Sequence, residues 1–396
     1  MDSFDDIVKP TLVLDEACAR RNIASMAEKA RRQGIRFRPH FKTHQSAGIG
    51  EWFRDEGVSR ITVSSVEMAA YFAGHSWDDI TIAFPANLRQ MDELSDLAER
   101  VRLGLLVESV ESVDALRKGL SEKAAAWIKI DAGAGRTGIP WERTEAVAEV
   151  LDAIRSSPNL EARGLLTHAG QTYRAGSRAE IEQIYNETRQ RLQKIRDALV
   201  ETQHLASLRD AQLQISVGDT PGCSVADDLS GVDEIRPGNF VFYDAEQYLL
   251  GSCRWEDVAV AVACPVVALH PERGEAVVYG GAIHLSKDFV DYQDQSDPRR
   301  TPTIASGPDI LRLYGLVALP EDERWGAPIE GAYVKALSQE HGVIHLPAPV
   351  FDKIRVGDLL FVIPAHSCLT VTALGRYRTL TGEMISTMNV ESGFAL

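Results

Sequence analysis

Apolar and polar positions along the N-terminal part of the chain follow two alternating rhythms. Short apolar runs of strand length occur at Ile35 to Pro39, Ile61 to Ser65, Ile80 to Phe84, Leu103 to Glu108, Trp127 to Asp131, Gly164 to His168, Leu213 to Val217 and Glu234 to Val241. Runs of this kind suit strands buried on both faces. Between them lie amphipathic stretches of helical period, among them Asp15 to Gln33, Met91 to Arg100, Val113 to Leu120, Thr144 to Ile154 and Arg178 to Gln203, the first with Asp15 as its cap. Eight strands alternating with helices predict a (β/α)8 TIM barrel over residues 15–245. A doubly wound sheet usually has fewer strands and a glycine-rich first turn, which is missing here.

From about Asp244 the rhythm changes. Val258 to Leu269, Ala276 to Tyr279, Tyr333 to Leu337, Gly342 to Leu346, Leu359 to Val362 and Thr370 to Ala373 are β-rich, with no comparable helices between them. They predict a C-terminal, mostly β domain over residues 246–396, to which residues 1–14, with the β-like Pro10 to Leu14, are assigned. The polar, proline-containing Asp291 to Pro308 reads as a long loop.

Composition narrows the function classes. At 396 residues two domains are expected, and 44% hydrophobic with 25% charged residues describes a globular protein with ample core. The net charge of -15 argues against nucleic acid as a partner. No apolar run reaches membrane-spanning length, and MDSFDDIVKP lacks the basic and apolar regions of a signal peptide, so a cytoplasmic protein without a membrane partner is expected. Five scattered cysteines do not suggest a disulfide framework.

The candidate chemistry begins at RFRPHFKTH, Arg36 to His44. Lys42 falls where a strand ends and an apparent helix starts near Thr43, the end of an α/β unit at which ligands bind. A lone lysine there would be read as solvated, but one fixed on rigid backbone is also suited to Schiff-base chemistry. SVGDTPGC, Ser216 to Cys223, could offer backbone donors to a phosphate, or be a plain turn. KIDAGAGRTGI puts Arg136 just past a strand end, and THAGQTY puts His168 and Tyr173 past another. Near the C-terminus, PAHSCLT places His366 and Cys368 two apart; on an extended segment both would project to one side as an imidazole and thiolate clamp suited to zinc. By themselves they fit a buried cysteine beside a polar histidine better than a metal clamp.

Together these strings resemble the fold-type III pyridoxal-phosphate enzymes of the D-serine dehydratase and D-threonine aldolase family, whose N-terminal domain is similar to that of alanine racemase. RPHFKTH carries most of the resemblance, although Gln45 stands where the family usually has a second lysine. The resemblance implies that Lys42 holds pyridoxal 5'-phosphate as an internal aldimine and acts catalytically. It also implies that Arg136 lies against the cofactor ring, that Tyr173 approaches cofactor or substrate, and that His40, His168 and Tyr243 belong to the same site. Ser216, Gly218, Asp219 and Thr220 match the family's phosphate cup, with Asp219 where a small residue is usual; an anion is tolerable there only if its side chain turns away. His366 and Cys368 match the H-x-C of D-serine dehydratases rather than the H-x-D of D-threonine aldolases, which implies Zn2+. The resulting expectation is a zinc-assisted lyase that removes water and then ammonia from D-serine or a related D-3-hydroxy amino acid. A retro-aldol enzyme of the D-threonine aldolase type and a non-catalytic pyridoxal-phosphate-binding protein are the alternatives. The resemblance further implies a homodimer. SQEHG, Ser338 to Gly342, resembles a family segment without an assigned role.

Overall fold

The computed structural model describes residues 4–202, 213–293, 310–391 and 393. Eight parallel strands, Arg36–Phe37, Ile61–Val63, Asp79–Pro85, Arg102–Val107, Ala124–Asp131, Leu160–His168, Gln214–Gly218 and Glu234–Ile235, pair in chain order. The ring closes because the first of them is bonded on both sides. Arg36 and Phe37 pair with Glu234 and Ile235. Just beyond, the Thr62 N–H donates to Pro39 O at 2.9 Å and the Phe41 N–H to Thr62 O at 2.8 Å. Closure removes both edges of the sheet, which an open parallel sheet would have to protect. The first strand is short because Pro39 has no N–H to give, and the chain turns immediately towards Lys42.

A second, nine-stranded sheet follows. Its strands are Val260–His270, Glu275–Tyr279, Gly315–Ala318, Tyr333–Leu337, His341–His345, Leu359–Pro364, Arg376–Thr379, Met384–Ser386 and the N-terminal Thr11–Leu14. Thr11–Leu14 lies antiparallel to the Val260 strand and parallel to Arg376–Thr379, so the chain starts in the β layer, builds the barrel and returns. The fold is therefore an alanine racemase-like barrel with a C-terminal β domain. Among the described residues, no helix is long and apolar enough to cross a membrane.

Four local expectations are corrected. Phe41 to Gln45 form turns rather than a helix start, and the next helix is Ala47–Asp55 with the Ser46 hydroxyl as its cap. The strand read over Glu234 to Val241 stops at Ile235, because Pro237 lacks a donor, and Asn239–Val241 forms a 3-10 turn. Thr370 to Ala373 is helical, part of Ser367–Leu374, and Gly375 ends that helix at φ 68°. Four β-prone residues are too few to fix a period, and a left-handed glycine supplies the stop. Asp291 to Gln293 belong to the strand Val290–Gln293, paired with Ile310–Leu313. The rest of the predicted loop, like Gln203 at the end of the predicted long helix, lies outside the described residues.

The barrel floor is ionic. Arg38 Nε donates to Glu234 Oε2 at 2.8 Å and Nη1 to Asp79 Oδ1 at 2.6 Å, while Glu234 Oε1 accepts from Ser216 Oγ at 2.9 Å and Ser216 Oγ from Arg236 Nε at 2.7 Å. Burial alone would raise the Glu234 carboxyl, but the Arg38 charge, reinforced by its hydrogen bond and by Arg236, holds it below the ordinary value. Removing one member of a buried charge network leaves the others uncompensated. Glu234→Gln should therefore cost about 3 kcal/mol in a urea unfolding experiment at neutral pH. A carboxyl whose folded value is depressed stabilises above its unfolded range and loses that effect as the pH falls, so wild type and variant should converge on acidification.

Candidate active site

The strand ends of the barrel and the first turn of the helix Ser367–Leu374 enclose a cavity of about 280 Å3. Lys42, His40, Arg136, His168, Tyr173, Asp219, Thr220, His366 and Cys368 all line it. The strings singled out in the sequence therefore meet at one place, although they span most of the chain.

Lys42 is half-buried, and its amine has no hydrogen-bond or ion-pair partner among the described residues. The backbone around it is tightly specified. The Lys42 N–H donates to His40 Nδ1 at 3.3 Å, Gln45 Nε2 donates to Lys42 O at 2.9 Å and to Thr372 Oγ1 at 2.8 Å, and Tyr377 Oη donates to His44 O at 2.7 Å. Gln45 itself sits at φ 52°. The glutamine that departs from the usual lysine thus ties the Lys42 turn to the helix carrying Cys368.

The hydrogen bonds fix the two flanking imidazoles. His40 Nδ1 accepts a backbone N–H, so the proton is on Nε2. His168 Nδ1 lies 2.7 Å from Gly218 O, which can only accept, so its Nε2 is the bare nitrogen. Both residues are kept neutral, first by burial and next by the Lys42 charge. Tyr173 is held protonated, mainly by burial, and its Oη accepts the Thr220 N–H at 3.4 Å.

Of the expected phosphate-cup residues, Ser216 and Gly218 are not in the cavity lining; Thr220 is, and so is Asp219. Its side chain caps the short helix Thr220–Val225, accepting from the Gly222 N–H and, at 3.0 Å, from the Thr172 hydroxyl. Burial raises this carboxyl to about 6. Ser216 lies beneath, bonded to Glu234 and Arg236, rather than in the cavity lining. At Gly218 a Cβ would come within 3.0 Å of the Arg236 guanidinium, so a larger residue there needs Arg236 to shift. Tyr243 is not among the lining residues; its hydroxyl lies 3.1 Å from Ser224 Oγ, behind the helix.

His366 and Cys368 also come together, but not on an extended segment. His366 is the extended N-cap of the helix and Cys368 lies in its first turn. Burial opposes ionisation of both. It is overcome at His366 first by Cys368 and then by Asp244 and Glu246, and at Cys368 first by His366 and then by Lys42 and Thr43, so the histidine is raised and the thiol lowered. Thr43 Oγ1 is 3.3 Å from Cys368 Sγ.

Several residues in and around the cavity carried no role in the sequence reading. Lys129 is buried, donates to Ile130 O at 3.0 Å and is lowered to about 8 by burial and by the Arg236 and Arg136 charges. Its signal was a lysine inside a buried strand. Asp244 and Glu246 approach His366 Nδ1 at 3.1 and 3.5 Å. Asp244 Oδ2 already accepts from Asn239 Nδ2 at 2.7 Å and the Ser367 N–H at 2.9 Å, so it is committed to orienting the histidine. The spacing of two acids just past the last barrel strand was legible; their meeting with a distant histidine was not.

Two family models match the chain. "Alanine racemase, N-terminal domain" covers residues 14–246, and "Putative serine dehydratase domain" covers residues 259–380. The chain belongs to the alanine racemase N-terminal domain family. With its second domain it is a fold-type III pyridoxal-phosphate lyase of the D-serine dehydratase and D-threonine aldolase group. It is 28% identical to D-threo-3-hydroxyaspartate dehydratase of Delftia sp. (strain HT23), over 94% of either chain. It is 27% identical to D-serine dehydratase of Dictyostelium discoideum, over 96% of this chain and 95% of that one. The solved Delftia sp. HT23 dehydratase superposes with a TM-score of 0.82, at 26% identity, covering 98% of this chain and 99% of the other.

The residues present fit pyridoxal phosphate. The unpartnered Lys42 amine and the buried Thr220 hydroxyl, also without a partner, both belong to the cavity lining, and Arg136 adds a cation to it. Asp219 is the misfit, because its unpartnered Oδ2 is ionised above pH of about 6. Asp219→Asn keeps the cap and removes the charge. Its affinity for pyridoxal phosphate, titrated at pH 8, should rise about three- to tenfold over wild type. The gap should narrow towards pH 5, where the native carboxyl carries its proton; equal affinities at pH 8 would contradict the charge argument.

Proposed function

We propose that the chain dehydrates and deaminates D-serine or a related D-3-hydroxy amino acid to a keto acid and ammonia, using pyridoxal 5'-phosphate and Zn2+. The observation that carries this reading is the shared cavity of Lys42 with His366 and Cys368. A lysine alone serves many reactions, whereas a nitrogen and sulfur pair beside it gives a departing hydroxyl somewhere to go.

When bound, pyridoxal phosphate supplies an electron sink for charge developing at the substrate α-carbon, and zinc a Lewis acid for the β-hydroxyl. Lys42 would hold the cofactor and then, as a free amine, take the α-proton. Arg136 would lie against the pyridine nitrogen; a guanidinium cannot accept its proton and discourages protonation. His40 would offer an Nε2–H donor, His168 a bare Nε2 acceptor and Tyr173 a hydroxyl that stays protonated. Thr220 would donate to the phosphate.

The donors fit zinc. A lowered thiol and an imidazole oriented from behind by a carboxylate form a familiar half-site, and His366 also groups with Asp244 and Glu246 closely enough for those three to share a metal ion. Among the similar solved structures is a mutant of D-threo-3-hydroxyaspartate dehydratase in a metal-free form. The relatives' names include aldolases as well as dehydratases, among them 3-hydroxy-D-aspartate aldolase of Paracoccus denitrificans. Cys368 in place of an aspartate favours the dehydratase reading. A homodimer, implied by the resemblance, and a cytoplasmic location are part of the same proposal.

Purified holoprotein given D-serine should release pyruvate and ammonia in equal amounts; glycine and formaldehyde would identify the aldolase instead. Chelation should abolish ammonia release and zinc restore it, and Lys42→Ala should lower kcat at least about 1,000-fold.

A further inference from the structure

Outside the inner cavity the site widens into a mouth of about 700 Å3, whose charged lining includes Arg136, Arg174, Glu246 and Asp288. On the reading above, Arg136 serves the cofactor and Glu246 faces His366. Asp288 lies on the Glu246 side, where its charge adds to the burial that keeps that carboxyl raised. Arg174 is an exposed member of the same lining, directly after Tyr173 in the 3-10 turn Gly170–Arg174.

Arginines nearby in the chain are engaged. Arg178 donates to Gly251 O, Arg189 pairs with Asp228 at 2.9 Å, and Arg191 binds Ala132 O and Glu187. Arg174 has no hydrogen-bond or ion-pair partner among the described residues, yet its backbone is held. Thr172 Oγ1 lies 2.8 Å from Ala169 O and 3.0 Å from Asp219 Oδ1, with its one proton shared between them, so the turn presents the guanidinium from a fixed base. A planar fork with five donors matches a carboxylate in two parallel hydrogen bonds. The substrate's own α-carboxylate is shared by every candidate substrate, so a receptor at the mouth matters most for a group that only some carry.

We infer that Arg174 is a specificity-determining residue that receives a second, side-chain carboxylate, so that the preferred substrates are D-3-hydroxy amino acids with an acidic side chain. This rests on the dehydratase reading of the same site. It does not depend on which residues complete the metal shell.

The test compares wild-type holoenzyme with Arg174→Gln and Arg174→Lys on D-threo-3-hydroxyaspartate and D-serine. The ratio of kcat/KM for the diacid over that for D-serine should fall about 10- to 100-fold in Arg174→Gln, with Arg174→Lys between the two because it keeps the charge but loses the fork. An unchanged ratio, or equal losses on both substrates, would overturn the assignment. Binding supplies a second readout that needs no turnover: D-aspartate and D-alanine lack the β-hydroxyl, and their binding is followed by the cofactor's absorption. Arg174→Gln should weaken D-aspartate relative to D-alanine by the same factor. If wild type releases no ammonia but this binding difference persists, the dehydratase reading fails and the Arg174 assignment stands; if the difference is absent, the assignment fails.

Discussion

The structure depends on one seam, where the turn after the first barrel strand meets the helix Ser367–Leu374. Thr43 touches Cys368, Gln45 bridges Lys42 O and Thr372, Tyr377 holds His44 O, and the Met388 N–H donates to Gln45 O at 2.7 Å. Apart from the Gln45 to Lys42 bond these contacts join residues far apart in sequence, and those of Thr43 and Tyr377 are buried. Without them the barrel would still close and the β layer would still pair. The lysine and the imidazole-thiol pair would then have no fixed relation, and no shared chemistry.

Each side of the seam is held by its own layer. On the barrel side, the two-sided pairing of Arg36–Phe37 fixes the height of the Lys42 turn, and the Arg38, Glu234, Ser216 and Arg236 network sets the floor beneath it. On the other side, the central Val260–His270 strand supports both Leu359–Pro364, which leads directly into His366, and Thr11–Leu14, through which the chain enters the barrel. Asp244 connects the two by capping the helix Ala245–Leu249 while bonding the Ser367 N–H and facing His366. One carboxylate thereby sets the end of the barrel and the orientation of the histidine together.

The barrel was legible because its strands are continuous apolar runs, a pattern that few other segments share. All eight runs read as strands became barrel strands. Lys42 could be found because a cluster of polar residues interrupts such a run at its end. The conformation of His366 and Cys368 could not, since four β-prone residues after them mask a short helix whose stop is a single left-handed glycine. Asp244, Glu246, Lys129 and Arg236 were assigned no role because each gains its meaning from curvature: the barrel brings together strand ends that no local spacing relates. Asp219 shows the same limit. The sequence raised the problem of its charge, but only the fold shows how the helix cap and the Thr172 hydroxyl accommodate it.

The central claim is that the amine of Lys42 and a metal held by His366 and Cys368 face one cavity. Crystals of the holoprotein, with anomalous diffraction recorded on either side of the zinc absorption edge, test this directly. The account predicts one zinc peak bonded to His366 and Cys368 and electron density continuous from Lys42 Nζ to the cofactor in the same cavity. A free Lys42 amine beside bound cofactor, or zinc bound away from His366 and Cys368, would contradict it.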